Sequence, residues 1–174
     1  MANPSDTPKI ETIFSAAEIA QHVRGIAAAH PGVAVLEVVG RAANGEEILA
    51  LRLGARDNAG PRPTLLLADY QGRASCGPEV ALNVAWELAG NFERDERVRA
   101  LLTHAELVIA PALDPSARVV EPLATPVRFE RNFPSGWQPE TVRAGSGRVS
   151  LSQPETLAAV SYLANLKGCA VLLG

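Results

Sequence analysis

The sequence is poor in the side chains that most often carry chemistry. Its 174 residues include two cysteines and three histidines. A zinc site needs three or four ligands from His, Cys, Asp and Glu, usually with a close pair. His22, His30 and His104 share no His-x-x-x-His spacing. They read as surface or capping histidines. Cys76 and Cys169 lie far apart, and no basic-then-apolar leader precedes them. Two reduced thiols and a cytoplasmic location are therefore expected. No apolar run approaches the ~20 residues of a membrane span. The net charge of −3 gives no electrostatic footprint for nucleic acid or an anionic membrane. Internal repeats and low-complexity tracts are absent too.

What remains is ordinary for a globular enzyme or binding domain: 47% apolar residues, 20% charged. Residues 1–11 read as a loose polar arm. "SAAEIAQHVRGIAAAH" (15–30) has one apolar helical face, and Ser15 with Glu18 makes a capping box. "VAVLEVVG" and "EEILALRLG" read as strands joined through Asn44-Gly45, a hairpin signal. After the breaker-rich loop 55–63 comes "TLLLADY", a continuous apolar run suited to a strand buried on both faces. "GPEVALNVAWELAGNF" (77–92) follows as a helix with Pro78 in its first turn. "ERDERVRA" (93–100) reads as a solvated helix end. "AELVIAPAL" is another buried strand, and 114–150 is irregular, as functional or disordered loops are. A helix opened by Ser152 (151–166) and the strand "GCAVLLG" complete the chain. The order predicts an α/β fold with a mixed, partly parallel sheet.

The turn after "TLLLADY" is where such a fold places its chemistry. It offers Gln71, Gly72, Arg73 and Ala74, with no base. "GRASCG" lacks the glycine spacing of a nucleophile elbow. Cys76 is a candidate nucleophile beside a helix N-terminus, or a small packing residue. "AGSGR" follows no strand and reads as loop.

Several segments taken together resemble the zinc metallocarboxypeptidase family, the carboxypeptidase A-like peptidases. "VVGRAANGEEILALRLG" is similar to the family's opening hairpin, with Gly40, Gly45 and Ile48 in place and Ala42 at a serine position. "RPTLLLADYQGRASCGPEVAL" resembles its strand, metal corner and helix. "VIAPALDPSAR" resembles the strand entering an Asn-Pro-Asp-Gly turn, with Asp114, Ser116 and Ala117 replacing Asn, Asp and Gly. "FERNFPSGW" and "LSQPETLAAVSYL" resemble its Asn-Arg-Asn-Phe-Pro stretch and Ser-Glu-Pro-Glu-Thr helix start. The resemblance is collinear from about residue 12 to the end. It implies helices on both faces of the sheet, and a carboxypeptidase-like domain over 12–174 that is incomplete at its C-terminus.

The same resemblance makes the departures specific. The family's His-x-x-Glu zinc pair falls on Gln71 and Ala74, a poor donor and no donor. The family's third ligand histidine and its catalytic Glu lie beyond a strand resembling "CAVLLG", and Gly174 precedes both. No zinc or other cofactor and no catalytic residue is therefore expected. Arg73 and Arg131 match substrate-binding arginines, Arg131 being the one that helps hold a terminal carboxylate. Glu130 stands where the family has asparagine and would repel a carboxylate unless it pairs with Arg128 or Arg131. Arg131, Asn132 and Trp137 have a purely structural alternative, organising the long loop. For Glu155 the alternative is favourable charge at a helix start.

The expected function is a catalytically inactive metallocarboxypeptidase-like domain. The alternatives are a peptide- or carboxylate-binding module using Arg73 and Arg131, a fragment of a longer metallopeptidase-like protein, or a thiol enzyme using Cys76. The expected partners are peptide C-termini, or a protein or second copy covering the apolar last strand; nucleic acid and membrane are not expected.

Overall fold

Helix α1 (Ala16–Ala29) begins where the sequence provides its cap: the Ser15 hydroxyl accepts from the Glu18 N–H at 3.3 Å, and Glu18 accepts from the Ser15 N–H at 2.7 Å. Ile19, Val23 and Ile26 recur at helical spacing and are its buried residues. The computed structural model describes residues 13–55, 64–68, 76–118, 127–166 and 169–173. The expected arm at 1–11 lies outside them, as do Gln71, Arg73 and Ala74 of the corner.

Strands β1 (Ala34–Arg41) and β2 (Glu47–Leu53) form the antiparallel hairpin that Asn44-Gly45 predicts. Gly45 sits at φ +86°, a left-handed conformation that costs glycine nothing. Strands β3 (Thr64–Ala68), β4 (Glu106–Ala110) and β5 (Cys169–Leu173) complete a sheet of order β1-β2-β4-β3-β5. β3 runs parallel to β4 and β5, whereas β2 runs antiparallel to β1 and β4. The sheet is mixed and partly parallel, as expected.

Alternation along β2 and β4 assigns the two faces. Leu49, Leu51, Leu53 and Ile109 pack with α1, α2 (Gly77–Asn91) and Leu102 of α3 (Glu96–His104). Ile48, Ala50, Val108 and Ala110 pack on the other side with Ala159 of α4 (Pro154–Asn165) and Phe129. Helices thus cover both faces. Fully burying each large aliphatic side chain contributes about 1.5–3 kcal/mol, so both faces are energetically specified. The α4 contact is close: a Cβ on Gly40 would lie 2.5 Å from the Ala158 Cβ. Beyond Ala50 the α4 side turns polar. Arg52 of β2 grips Glu37 of β1 at 2.7 and 3.2 Å and Glu106 of β4 at 2.8 Å, and the Tyr162 hydroxyl of α4 donates to Glu37. Partial burial pushes the Glu37 carboxyl up, but the bonds from Arg52 and Tyr162 outweigh it and leave the pKa lowered.

Two local expectations are corrected. Residues 93–100 are solvated, but they are not the end of one helix. α2 stops at Asn91, and α3 starts anew at Glu96, with the Asp95 carboxylate accepting from the Arg97 N–H at 2.8 Å. Nor does Ser152 cap α4. Gln153 is the cap residue, without a side-chain bond, and the Ser152 hydroxyl accepts from Asn132 Nδ2 at 3.0 Å. No described helix is long and apolar enough to cross a membrane.

Candidate functional site

Parallel strands leave their chain direction, and the loops that follow, at one edge of the sheet, where α/β proteins build sites. Here that edge is the C-terminal end of β3 and β4. From β3 the chain enters the corner that carries Gln71, Arg73 and Ala74, outside the described residues. It re-emerges at Cys76, an exposed free thiol at the cap position of α2.

From β4 the chain runs to Asp114 and a short 3-10 helix, Pro115–Arg118. Asp114 accepts from the Ala117 N–H at 3.1 Å. Burial, reinforced by the Glu155 and Glu130 carboxylates, pushes the Asp114 pKa up to about 6 against the pull of the Ala117 and Ser116 N–H groups. Glu155 is 5% exposed and does more than favour a helix start. Its carboxylate accepts from the Ala43 N–H at 2.7 Å and the Ser116 hydroxyl at 2.9 Å. It thereby joins α4, the β1–β2 turn and the 3-10 helix.

A second buried acid was not foreseen from the sequence. Glu79, in the first turn of α2, forms an ion pair with Arg118 at 2.7 Å, both side chains being almost wholly buried. Glu79 also accepts from the Phe14 N–H at 2.6 Å, and Arg118 Nε donates to the Phe14 carbonyl at 2.9 Å. An acid just inside a helix reads locally as a complement to the helix dipole, and no spacing rule links it to an arginine 39 residues away.

The long loop is organised around Asn132, which is fully buried. Its Nδ2 faces the Ser146 carbonyl (2.8 Å), the Val149 carbonyl (3.1 Å) and the Ser152 hydroxyl (3.0 Å), while its Oδ1 accepts from the Gln153 N–H at 3.0 Å. The Trp137 indole N–H donates to the Ser146 carbonyl at 3.0 Å. Glu140 accepts from the Gly145 and Gly147 N–H groups at 2.7 and 2.8 Å, and these bonds hold its pKa low. The loop therefore has fixed internal contacts despite its irregular backbone.

Arg131 ends the 3-10 helix Phe129–Arg131. One guanidinium nitrogen, Nη1, donates to the Ala144 carbonyl at 2.6 Å. Its Nε is buried and makes no hydrogen bond. A Glu130 oxygen lies 3.7 Å from that Nε and 3.7 Å from Arg128 Nη1. That is ion-pair distance, too long for a hydrogen bond. Both pairings that could offset the charge of Glu130 are thus formed. Glu155 and Glu130 each act electrostatically on Asp114. The histidines stay apart: His22 stacks on Phe14, His30 meets Trp86 edge-on, and His104 Nδ1 lies 2.8 Å from the Ala100 carbonyl. Among the described residues no three metal-ligating side chains come together.

The raised pKa of Asp114 has a measurable consequence. A folded pKa above the ordinary Asp value favours the protonated acid in the fold. That contribution is complete below about pH 4 and lost as pH rises through about 6. Asp114→Asn is therefore expected to be more stable than the parent at neutral pH, on the order of 1 kcal/mol after allowing for solvent screening. Urea unfolding across pH should show the gap closing toward pH ~4; a gap independent of pH contradicts the assignment.

Comparison with known proteins gives a consistent result. The family model described as zinc carboxypeptidase matches residues 19–115. No curated protein sequence matches the chain. Among solved structures, thrombin-activatable fibrinolysis inhibitor is similar with a TM-score of 0.80 at 14% identity, over 99% of this chain and 49% of that one. Carboxypeptidase A from Helicoverpa armigera gives 0.74 at 17% identity, over 92% and 44%. A metallo-carboxypeptidase from Burkholderia cenocepacia gives 0.68 at 18%, over 92% and 40%. At such identities the likeness concerns the fold. The chain spans about half or less of the length of these structures.

Proposed function

The chain belongs to the zinc carboxypeptidase family, and from that premise we propose that by itself it is a non-hydrolysing member of it. The resemblance carries the proposal: Gln71 and Ala74 match the positions that the family's motif gives to its paired His and Glu ligands. A neutral amide is a weak donor for zinc beside imidazole, and a methyl group is none. Zinc hydrolases depend on the metal to lower the pKa of bound water by roughly 8 units. This donor set does not fit the metal, so no step through zinc is derived.

Metal analysis of the purified chain tests the proposal together with a peptide assay. Zinc is expected far below one equivalent, with no release of C-terminal residues. Stoichiometric zinc with release that a chelator abolishes would overturn it.

A second role, capture of a peptide or carboxylate through Arg73 and Arg131, has its own support. The support is Arg131 Nε, which has no hydrogen-bond acceptor and only the Glu130 carboxylate at ion-pair distance. A carboxylate that displaced Glu130 could supply the missing bond.

A further inference from the structure

The seam between α1 and α2 is closed differently at its two ends. At one end Phe14, just ahead of α1, bonds through its main chain to Glu79 in the first turn of α2 and to Arg118. At the other end His30, the cap residue of α1, packs edge-on against Trp86 of α2 with ring centroids 5.7 Å apart. A Cβ on Gly90 would lie 3.9 Å from His30 Cε1, so the ring also borders the last turn of α2. The two helices therefore run in the same direction, pinned at their starts by a buried ion pair and joined at their ends by an imidazole.

The backbone of His30 is fully engaged. Its N–H donates to the Ile26 carbonyl at 3.0 Å, and its carbonyl accepts from the Val33 and Ala34 N–H groups at 3.1 and 2.9 Å. The half-buried ring is not engaged in this way: its Nε2 is buried and has no hydrogen-bond partner. In a neutral imidazole that nitrogen can be the bare acceptor, but an imidazolium carries N–H on both nitrogens. A charged donor buried without an acceptor costs far more than an idle neutral acceptor. The charged and titratable groups of the surrounding elements are Glu18, His22 and Arg24 on α1, Glu79 and Glu87 on α2, Glu93, Arg94 and Asp95 beyond it, and Glu37 and Arg41 on β1. Glu18 is bound to Ser15, Arg24 to Glu47, Glu79 to Arg118, Glu87 to Asn91 and Glu37 to Arg52. None of them offsets a charge on His30, whose pKa is lowered by burial.

We propose that His30 is a proton-operated joint between α1 and α2, closed while its ring is neutral and opened when protonation drives the ring away from Trp86. Opening starts at the C-terminal ends of the two helices and leaves the Phe14–Glu79–Arg118 end closed. A pKa lowered in the fold means that the folded joint prefers the neutral ring. Its stabilisation is present above the ordinary value of 6.5 and is lost as pH falls through the lower folded value. The opening constant of the seam should rise on acidification by about tenfold for each pH unit separating the two values. A helix C-terminus and the face of a tryptophan both favour a cation and act in the opposite sense. Neither gives Nε2 an acceptor, and the orphaned N–H decides the balance.

The test is two-dimensional NMR of the whole chain between about pH 8 and 5, following the histidine rings, the Trp86 indole and amide exchange. His30 is expected to titrate below the ordinary histidine value. The Trp86 signal should move with the same midpoint, and protection in the last turn of α1 should fall with it while β2 and β4 keep theirs. His30→Phe retains a ring that takes no proton and should abolish the Trp86 transition. His30→Gln should abolish it too, and decides alone if the phenylalanine variant does not fold. Titration of His30 at or above the ordinary value overturns the proposal, because the helix end and Trp86 then stabilise the cation. A Trp86 signal that is unchanged across the His30 titration overturns it, as does a transition that survives in a folded variant. Loss of protection in β2 and β4 at the same midpoint overturns it as well, since the joint is then not separable from the fold.

Discussion

Replacing Arg118 by methionine is expected to cost about 3–5 kcal/mol of stability, because it leaves the Glu79 carboxylate buried and unpaired. The side chains of Arg118 and Glu79 are 1% and 2% exposed, so water cannot take over the lost contact. Glu79 already has one oxygen, Oε2, without a hydrogen-bond partner. The remaining Phe14 N–H bond would have to hold the ion alone. Removing both charges should behave differently. Glu79→Leu combined with Arg118→Met is expected to recover most of the loss, since well-packed apolar residues often replace a buried pair at little cost. Urea unfolding of the two single variants and the double variant forms the cycle. A loss under ~1 kcal/mol in Arg118→Met would show that the site relaxes to admit water, against its observed burial. The pair joins the entry to α1, the first turn of α2 and the turn after β4.

Gly147→Ala is expected to cost about 2–4 kcal/mol, from two additive causes. Gly147 has φ +79°, where a side chain is strained. Its Cβ would also meet Ser152 Oγ at 2.5 Å and Asn132 Nδ2 at 2.8 Å, the polar atoms that knit the loop together. Gly136 separates the causes. It has φ +72° but open space around its Cβ position, so Gly136→Ala should cost only the conformational term of about 1–2 kcal/mol. Trp137 reports locally, because its indole is bound to the Ser146 carbonyl. Its fluorescence should change in Gly147→Ala. Equal losses in the two alanine variants would mean that the Asn132 network yields freely and does not define the loop.

The amount legible in the sequence differed from one element to the next. The α1 capping box, the Asn44-Gly45 hairpin and the strands at 64–68 and 106–110 follow from spacings within a few residues, and all appear as expected. α3 was missed because "ERVRALLTH" buries only Leu102, so its apolar period is too thin to detect. The cap of α4 was misplaced because Ser152 is bound by Asn132, from 20 residues away. A local rule has no access to such a competitor. At the candidate site, the pairing of Glu130 with Arg128 or Arg131 could be framed as a condition, since all three lie within one short stretch. The buried Glu79–Arg118 pair and the crowding of Asp114 by Glu155 could not.

The sequence by itself determined the family and the hairpin of β1 and β2, because residue identity and short-range order suffice for each. Only the tertiary structure decided which charges meet. Glu79 with Arg118, and Glu155 with Ala43 and Ser116, depend on how loops fold back onto the sheet edge. The physical reason is that ionic and hydrogen-bond energies depend on separations of a few ångströms and on burial. Neither is encoded in the spacing of residues along the chain until the elements have packed.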